Sequence, residues 1–162
     1  QNGPVHYPYP VIRMAEMYLN LAEILIELDA LENTTGRLEE AKGLIDKIRV
    51  RAGIPTIDEA WKKANHPEKA NTAEGLREIV RRERQIEFYL ENQRFWDLRR
   101  WKDAGILGEK VWGMNIEGDT DETFFVPTEL QNIRTFKQAQ YLMPIPMTET
   151  NKVPHIVQNP GY

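Results

Sequence analysis

Apolar and polar positions follow helical spacing through the first two thirds of the chain and lose that spacing afterwards. From Val11 to about Leu31, the residues Ile12, Ala15, Leu19, Ala22 and Leu25/Ile26 share one face of an amphipathic helix. Ala15 and Ala22 are small and one heptad apart, which predicts close approach of a partner helix. Glu32-Asn33-Thr34-Thr35-Gly36 breaks the pattern. A second helix is predicted from about Arg37 to Ala52 on Leu38, Ala41, Leu44/Ile45 and Ile48, with Gly53 as its C′ residue. Two such helices joined by a short turn make an antiparallel hairpin over about 11–52, the unit of helical-repeat scaffolds. The chain holds no second copy of it. The hairpin therefore reads as one terminal unit of an array, with its Ala15/Ala22 face left uncovered by the missing members.

Residues 55 to 67 form a loop or short helical segment carrying Trp61. Asn71-Thr72-Ala73-Glu74 then resembles a capping box with Asn71 as N-cap. It opens a long helix predicted over about 72–104. The stretch from Glu83 to Trp101 contains neither Gly nor Pro. Its apolar stripe of Leu76, Ile79, Val80, Ile86, Leu90, Leu98 and Trp101 is interleaved with Glu83, Glu87, Arg94 and Asp97. Charges along a buried stripe must be paired with one another or with a neighbour. Beyond Gly108 the periodicity fades. Thr123-Phe124-Phe125-Val126 is β-prone, and Tyr141 to Pro146 reads as an extended edge segment because Pro144 and Pro146 forbid a helix interior. The predicted fold is mainly α: a helix hairpin plus a long helix, then an irregular region over 105–162 with short β segments.

Composition narrows the function classes. The 162 residues suffice for one domain with a real core. A net charge of −4 gives no long-range attraction to nucleic acid or anionic lipid. The basic clusters at Arg81-Arg82-Glu83-Arg84 and Arg99-Arg100-Trp101-Lys102 sit beside acids and read as solvated or ion-paired faces. The absence of cysteine removes disulfides, thiolate metal sites and cysteine nucleophiles. No apolar run approaches the roughly 18 residues of a membrane span. The opening Gln1-Asn2-Gly3-Pro4 lacks a Met and reads as the interior of a longer product, a fragment or a processed chain.

The candidate chemistry is sparse. Glu83, Glu87 and Glu91 are four apart, a spacing open to dimetal or acid/base work. A di-iron helix needs Glu-x-x-His, and His6, His66 and His155 all lie outside the predicted helices. No metal or cofactor is expected. Glycosidase chemistry needs two carboxylates across a cleft. The structural alternative is that Arg13, Arg49, Arg51, Arg84 and Arg94 neutralise these acids, with Arg94 and Asp97 as the favoured pair. Asp119-Thr120-Asp121-Glu122 reads as a solvated turn, since it lacks the spacing of a calcium loop. Phe88, Tyr89, Trp96 and Trp101 are assigned to the core. Trp61, Trp112, Phe124, Phe125 and Tyr141 lie in loop-rich regions and are the candidates for contact with sugar faces.

Four blocks in order resemble the C-terminal part of the SusD/RagB family of outer-membrane nutrient-binding lipoproteins. They are Tyr9-Pro10-Val11-Ile12-Arg13-Met14-Ala15-Glu16 through Glu23, then Ile48-Arg49-Val50-Arg51-Ala52-Gly53, then Glu83-Arg84 through Trp101, and finally Pro144-Ile145-Pro146 with Glu149 and Gln158-Asn159-Pro160-Gly161-Tyr162. Two positions depart from the family pattern. Asn92 stands where the family has Gly, a residue that in mid-helix suggests close packing, and Val153 replaces the usual Asn before Pro154. The resemblance implies tetratricopeptide-like helix pairs, a lipid anchor upstream of this chain, and a SusC-like TonB-dependent transporter as partner. It also implies non-catalytic capture of an oligosaccharide or other nutrient at the cell surface. The positions that carry over are scaffold positions: Arg13, Glu16, Arg49, Arg51, Glu83, Arg84, Glu87, Arg94, Asp97 and Trp101. Two other functions stay open at this point, a glycoside hydrolase using Glu83, Glu87 or Asp97 and a helical-repeat adaptor for a protein.

Overall fold

The computed structural model describes residues 11–130, 134–153 and 155–162. The Tyr7-Pro8-Tyr9-Pro10 lead-in, His6 and Pro154 lie outside them. The chain is mainly helical and divides into two compact units, Gln1–Arg94 and Phe95–Tyr162.

The first unit holds α1 (Met14–Glu32), α2 (Leu38–Arg51), α3 (Ile57–Lys63), a 3₁₀ turn at Pro67–Asn71, and α4 (Ala73–Glu87). The α1/α2 hairpin forms as its periodicity predicts, and α4 packs across both helices. Leu19, Ala22, Ile26, Ala41, Ile45, Leu76 and Val80 make the centre of this core. Each large aliphatic side chain removed from water here contributes about 1.5–3 kcal/mol. Buried charge fixes the turn between α1 and α2. Asp29 is fully buried and accepts from the Thr34 hydroxyl at 2.7 Å, the Arg37 backbone N–H at 2.7 Å and the Arg37 guanidinium at 2.9 Å. Burial alone would push this carboxyl up, but those donors outweigh it and hold its pKa below the ordinary range.

The end of α2 has the predicted geometry. Gly53 takes φ 71°, and the Gly53 and Ile54 N–H groups return to Val50 and Arg49 carbonyls at 3.0 Å, a Schellman closure. At α4 the cap shifts by one residue from the prediction. Thr72 rather than Asn71 is the N-cap, and its hydroxyl accepts from Gly75 N–H at 3.1 Å. Asn71 instead closes the 3₁₀ turn through Pro67 carbonyl at 2.8 Å. Gly75 is required here, because a Cβ would lie 2.1 Å from the Lys69 carbonyl oxygen.

Two expectations about burial are overturned. Ala15 and Ala22 are buried in the core, because α2 and α4 already cover that face. The uncovered side of α1 is a different stripe of Met14, Met17, Leu21, Ile24, Leu28 and Leu31, spaced alternately three and four apart and all exposed. Helix α1 is apolar on two sides, which a single amphipathic face does not capture.

The helix predicted over 72–104 is broken. It ends at Glu87, turns through residues 88–92, and restarts as α5 (Gln93–Arg100). Leu90 and Asn92 adopt left-handed backbone at φ 66° and 64°. Position 92 therefore calls for left-handed backbone in a turn, not for close packing in mid-helix. Asn is the side chain that best tolerates the same region. The break takes Ile86 and Leu90 out of the expected apolar stripe, leaving both exposed, and turns Tyr89 outward while Phe88 stays buried.

In the second unit, α5 leads into a 3₁₀ segment at Ala104–Gly108. Strands β1 (Trp112–Met114) and β2 (Pro127–Glu129) pair antiparallel, flanking α6 (Asp121–Phe124), and α7 (Met147–Lys152) follows later. Trp96 is exposed rather than core. The β-prone run forms no strand: Thr123 and Phe124 end α6, which Thr120 caps, and residues 125–126 turn into β2. Residues 142–146 are extended but join no sheet. The Gln158 side-chain amide instead pairs with the Ile145 backbone in both directions at 2.8 Å. Asn159 Nδ2 donates to the Met143 carbonyl at 2.6 Å, and the Tyr162 hydroxyl donates to Leu142 at 3.1 Å. The Gln-Asn-Pro-Gly-Tyr tail thus acts as the missing neighbour strand for the Pro-Ile-Pro segment.

A substitution at the break tests the left-handed turn. Asn92→Ala should lower unfolding free energy by about 1 kcal/mol, while Asn92→Gly should stay within about 0.5 kcal/mol of the parent. Urea melts of the two variants measure this, and equal stability of the Ala variant would contradict the left-handed backbone at residue 92.

Candidate functional site

Glu83 and Glu87 near the end of α4, and Glu91 in the following turn, are each met by arginine. Glu83 is buried and pairs with Arg49, which also donates through Nε to the Pro55 carbonyl at 2.7 Å. Glu87 receives the Arg13 guanidinium at one oxygen and Arg51 Nη2 at 2.6 Å to both. Arg13 is the N-cap residue of α1. It reaches on to Glu91 with a two-pronged contact of 2.9 and 2.7 Å and donates to the Glu87 carbonyl at 2.6 Å. Arg84 donates to Asn20 at 2.6 Å and has Glu23 at 3.8 Å. Arg13 and Arg84 both lie against the buried Phe88 ring, at 4.9 and 5.3 Å.

This arrangement follows from where the helices end. Arg49 and Arg51 occupy the last turn of α2, where cations meet the negative end of the helix dipole. Glu83 and Glu87 lie near the end of α4, and Arg13 stands at the start of α1. Burial would raise the Glu87 carboxyl, but Arg13 and Arg51 outweigh burial and hold its pKa below the ordinary range. A carboxylate locked in its ionised form by two guanidiniums is a poor proton donor, so this row is built for cohesion rather than acid/base exchange.

The remaining scaffold candidates are dispersed. Glu16 is half-buried in the first turn of α1, and Arg94 is half-buried in α5. Asp97 is buried and accepts from Arg100 Nε at 2.9 Å, while Trp101 is half-buried with the Arg100 guanidinium 4.8 Å from its ring.

The candidate aromatics divide between the two units. Trp61 belongs to the first unit, half-buried against the core with Lys69 Nζ 4.9 Å from its ring. It borders a groove of about 580 Å³ that is also lined by Arg82 and by Lys69 and Arg49, the last two paired with Glu78 and Glu83. The other four are in the second unit. Trp112 is exposed on β1, and Phe124 and Phe125 stack edge to face at 5.2 Å. Tyr141 is the best fixed. Its hydroxyl donates to the Lys102 carbonyl at 2.7 Å and accepts from Ala104 N–H at 3.1 Å, and the Phe136 ring meets it edge-on at 4.9 Å.

Tyr141 lines a cleft of about 560 Å³ with Arg99, Lys102, Leu142 and the Pro160-Gly161 backbone. The sequence reads the basic run at 99–102 as a solvated or ion-paired face, and it carries no signal that Arg99 and Lys102 stand beside Tyr141. Among the described residues no group of His, Asp or Glu side chains has the geometry of a metal site. No helix is long and apolar enough to cross a membrane.

The SusD family model (SusD_RagB) matches residues 1–162. The chain belongs to the SusD family. It is 30% identical over 161 residues to SusD-like protein P2 of Formosa agariphila, covering 95% of this chain and 26% of that protein. Among solved structures it is similar to BT4246 at TM-score 0.77 and 32% identity, covering 98% of this chain and 25% of that one. It is also similar to the SusD-like protein BF3747 of Bacteroides fragilis NCTC 9343 at TM-score 0.73 and 36% identity, over 96% of this chain and 28% of that one. The chain thus spans about a quarter of the length of these relatives. Arg13, Arg49, Arg51, Glu83, Arg84 and Glu87, expected from the resemblance to be scaffold positions, all take part in the ion pairs and hydrogen bonds described above.

The network makes stability acid-sensitive. Glu87 has a depressed folded pKa, so its contribution is fully present above the unfolded value of about 4.3 and is lost as pH falls through the folded value. Glu87→Gln should cost about 2–3 kcal/mol near neutral pH, less than a fully buried pair because Arg51 is largely exposed. Urea midpoints between about pH 6 and pH 3 should fall more steeply in the parent than in the variant. Parallel curves would contradict the assignment.

Proposed function

We propose that this chain is the C-terminal part of a SusD-like surface lipoprotein that captures an oligosaccharide or other nutrient without chemically altering it. Its partner in this reading is a SusC-like TonB-dependent transporter of the outer membrane, to which it hands the nutrient. Membrane attachment would come through a lipid anchor outside the 162 residues. Residues 1–162 form one functional region of that protein, contributing helix pairs and the loop-rich C-terminal segment.

The observation that carries the reading is family membership over the full 162 residues, with the family's charged positions engaged in structural ion pairs. The hydrolase reading is disfavoured by the same pairs: Glu83 lines the Trp61 groove but is engaged by Arg49, and Glu87 is held ionised by Arg13 and Arg51. Glycan contact falls to the aromatic candidates Trp61, Trp112, Phe124, Phe125 and Tyr141, with no cofactor or metal.

Affinity capture with the full-length protein tests the partner, and a glycan array tests the ligand. A co-purifying TonB-dependent transporter together with saturable glycan binding is expected. No transporter together with a blank array would overturn the reading. Steady release of reducing ends that vanishes in Glu87→Gln would establish the hydrolase instead.

A further inference from the structure

The cleft beside Tyr141 carries a charge that the chain as a whole does not. The protein has a net charge of −4, yet Arg99 and Lys102 line this cleft and none of its lining residues is an acid. The groove beside Trp61 differs in having acids in its walls, where Glu78 and Glu83 pair with Lys69 and Arg49 while Arg82 also lines it.

Arg99 is held differently from an ordinary surface side chain. Arg99 lies on the Phe95 ring with its guanidinium carbon 3.5 Å from the ring centroid, and Nη1 donates to the Phe95 carbonyl at 3.1 Å. These contacts fix the plane of the guanidinium. A guanidinium has five N–H donors, and among the described residues the Nε–H of Arg99 is buried without an acceptor. Lys102 is exposed, and its left-handed backbone is tied to Tyr141 through the 2.7 Å hydroxyl bond. Tyr141 is therefore a rigid aromatic wall beside two cations, with Leu142 and Pro160 adding apolar surface. The volume of about 560 Å³ lies within the ordinary size range of small-molecule sites.

We propose that this cleft binds an acidic saccharide, a sugar ring bearing a carboxylate or sulfate. The anion meets Arg99 and Lys102 while the C–H face of the ring packs on Tyr141. The inference rests on the glycan-binding reading above and adds to it a site and a ligand charge. Neutral sugars gain the aromatic contact alone, whereas an anion also gains charge-assisted hydrogen bonds in a partly desolvated cleft.

Calorimetric titration of the full-length protein with a glucuronate-terminated oligosaccharide, its sulfated counterpart and its neutral parent tests this. At least one acidic ligand should bind about tenfold more tightly than the neutral one and weaken with added salt. The two acidic arms identify which anion is preferred. Arg99→Gln combined with Lys102→Gln should remove the preference, bringing the acidic ligands to the affinity of the neutral one. Should the double variant fold poorly, Lys102→Gln alone, at an exposed side chain, should reduce the preference about threefold. Equal affinity for the acidic and neutral ligands, or a preference that survives in a folded double or single variant, would overturn the inference while glycan binding itself stands. Silence toward all three ligands also overturns it, and a blank glycan array with the full-length protein would show that the parent reading fails with it.

Discussion

Glu83 and Glu87 face inward on α4, and that placement sets the terms for the rest of the first unit. An ionised carboxylate taken out of water costs several kcal/mol unless a cation with matching hydrogen bonds accompanies it. The cations come from the end of α2, through Arg49 and Arg51, and from the start of α1, through Arg13. Two helix ends must therefore converge on the end of a third. Aliphatic packing alone would tolerate a helix sliding by a turn, but a guanidinium fork meeting a particular carboxylate would not. The hydrophobic centre supplies the bulk of the stabilisation, and the charge network selects one register for it.

Local devices keep that register. Gly53 closes α2 directly after Arg51, and Asp29 ties the α1–α2 turn with three donors at once. Buried Lys42 reaches Asp58 at 3.1 Å and Asn71 at 3.4 Å, joining α2 to α3 and to the following 3₁₀ turn. Asp46 accepts the Ile57 N–H at 2.8 Å where α3 begins. In the second unit the same logic appears without charge. The Gln158 amide substitutes for a strand partner, giving the Ile145 backbone a donor and an acceptor where Pro144 and Pro146 deny it a sheet.

The α1/α2 hairpin was legible because two helices with clear apolar spacing and a Gly at the C′ position leave little choice. The need to pair the acids of α4 was legible for the same physical reason, and Arg13, Arg49 and Arg51 stood among the available cations. The break at residues 88–92 was not. Leu90 is a good helix former, and nothing in the spacing of Ile86, Leu90 and Leu98 distinguishes a continuous helix from one interrupted by a left-handed turn. Which side of α1 is covered was likewise hidden, since both sides are apolar and only the placement of α2 and α4 decides. That Arg99 and Lys102 share a cleft with Tyr141 was hidden too, since helical spacing does not say which loop packs beside the end of α5.

The central claim is that the motif charges hold the scaffold together and do not contact ligand. A double-mutant cycle on Arg49 and Glu83, read both as unfolding free energy and as glycan affinity of the full-length protein, tests it most directly. The account predicts a coupling energy of about 2 kcal/mol in unfolding, with affinity unchanged in every folded variant. Coupling near zero in stability, or a matching loss of glycan affinity, would contradict it.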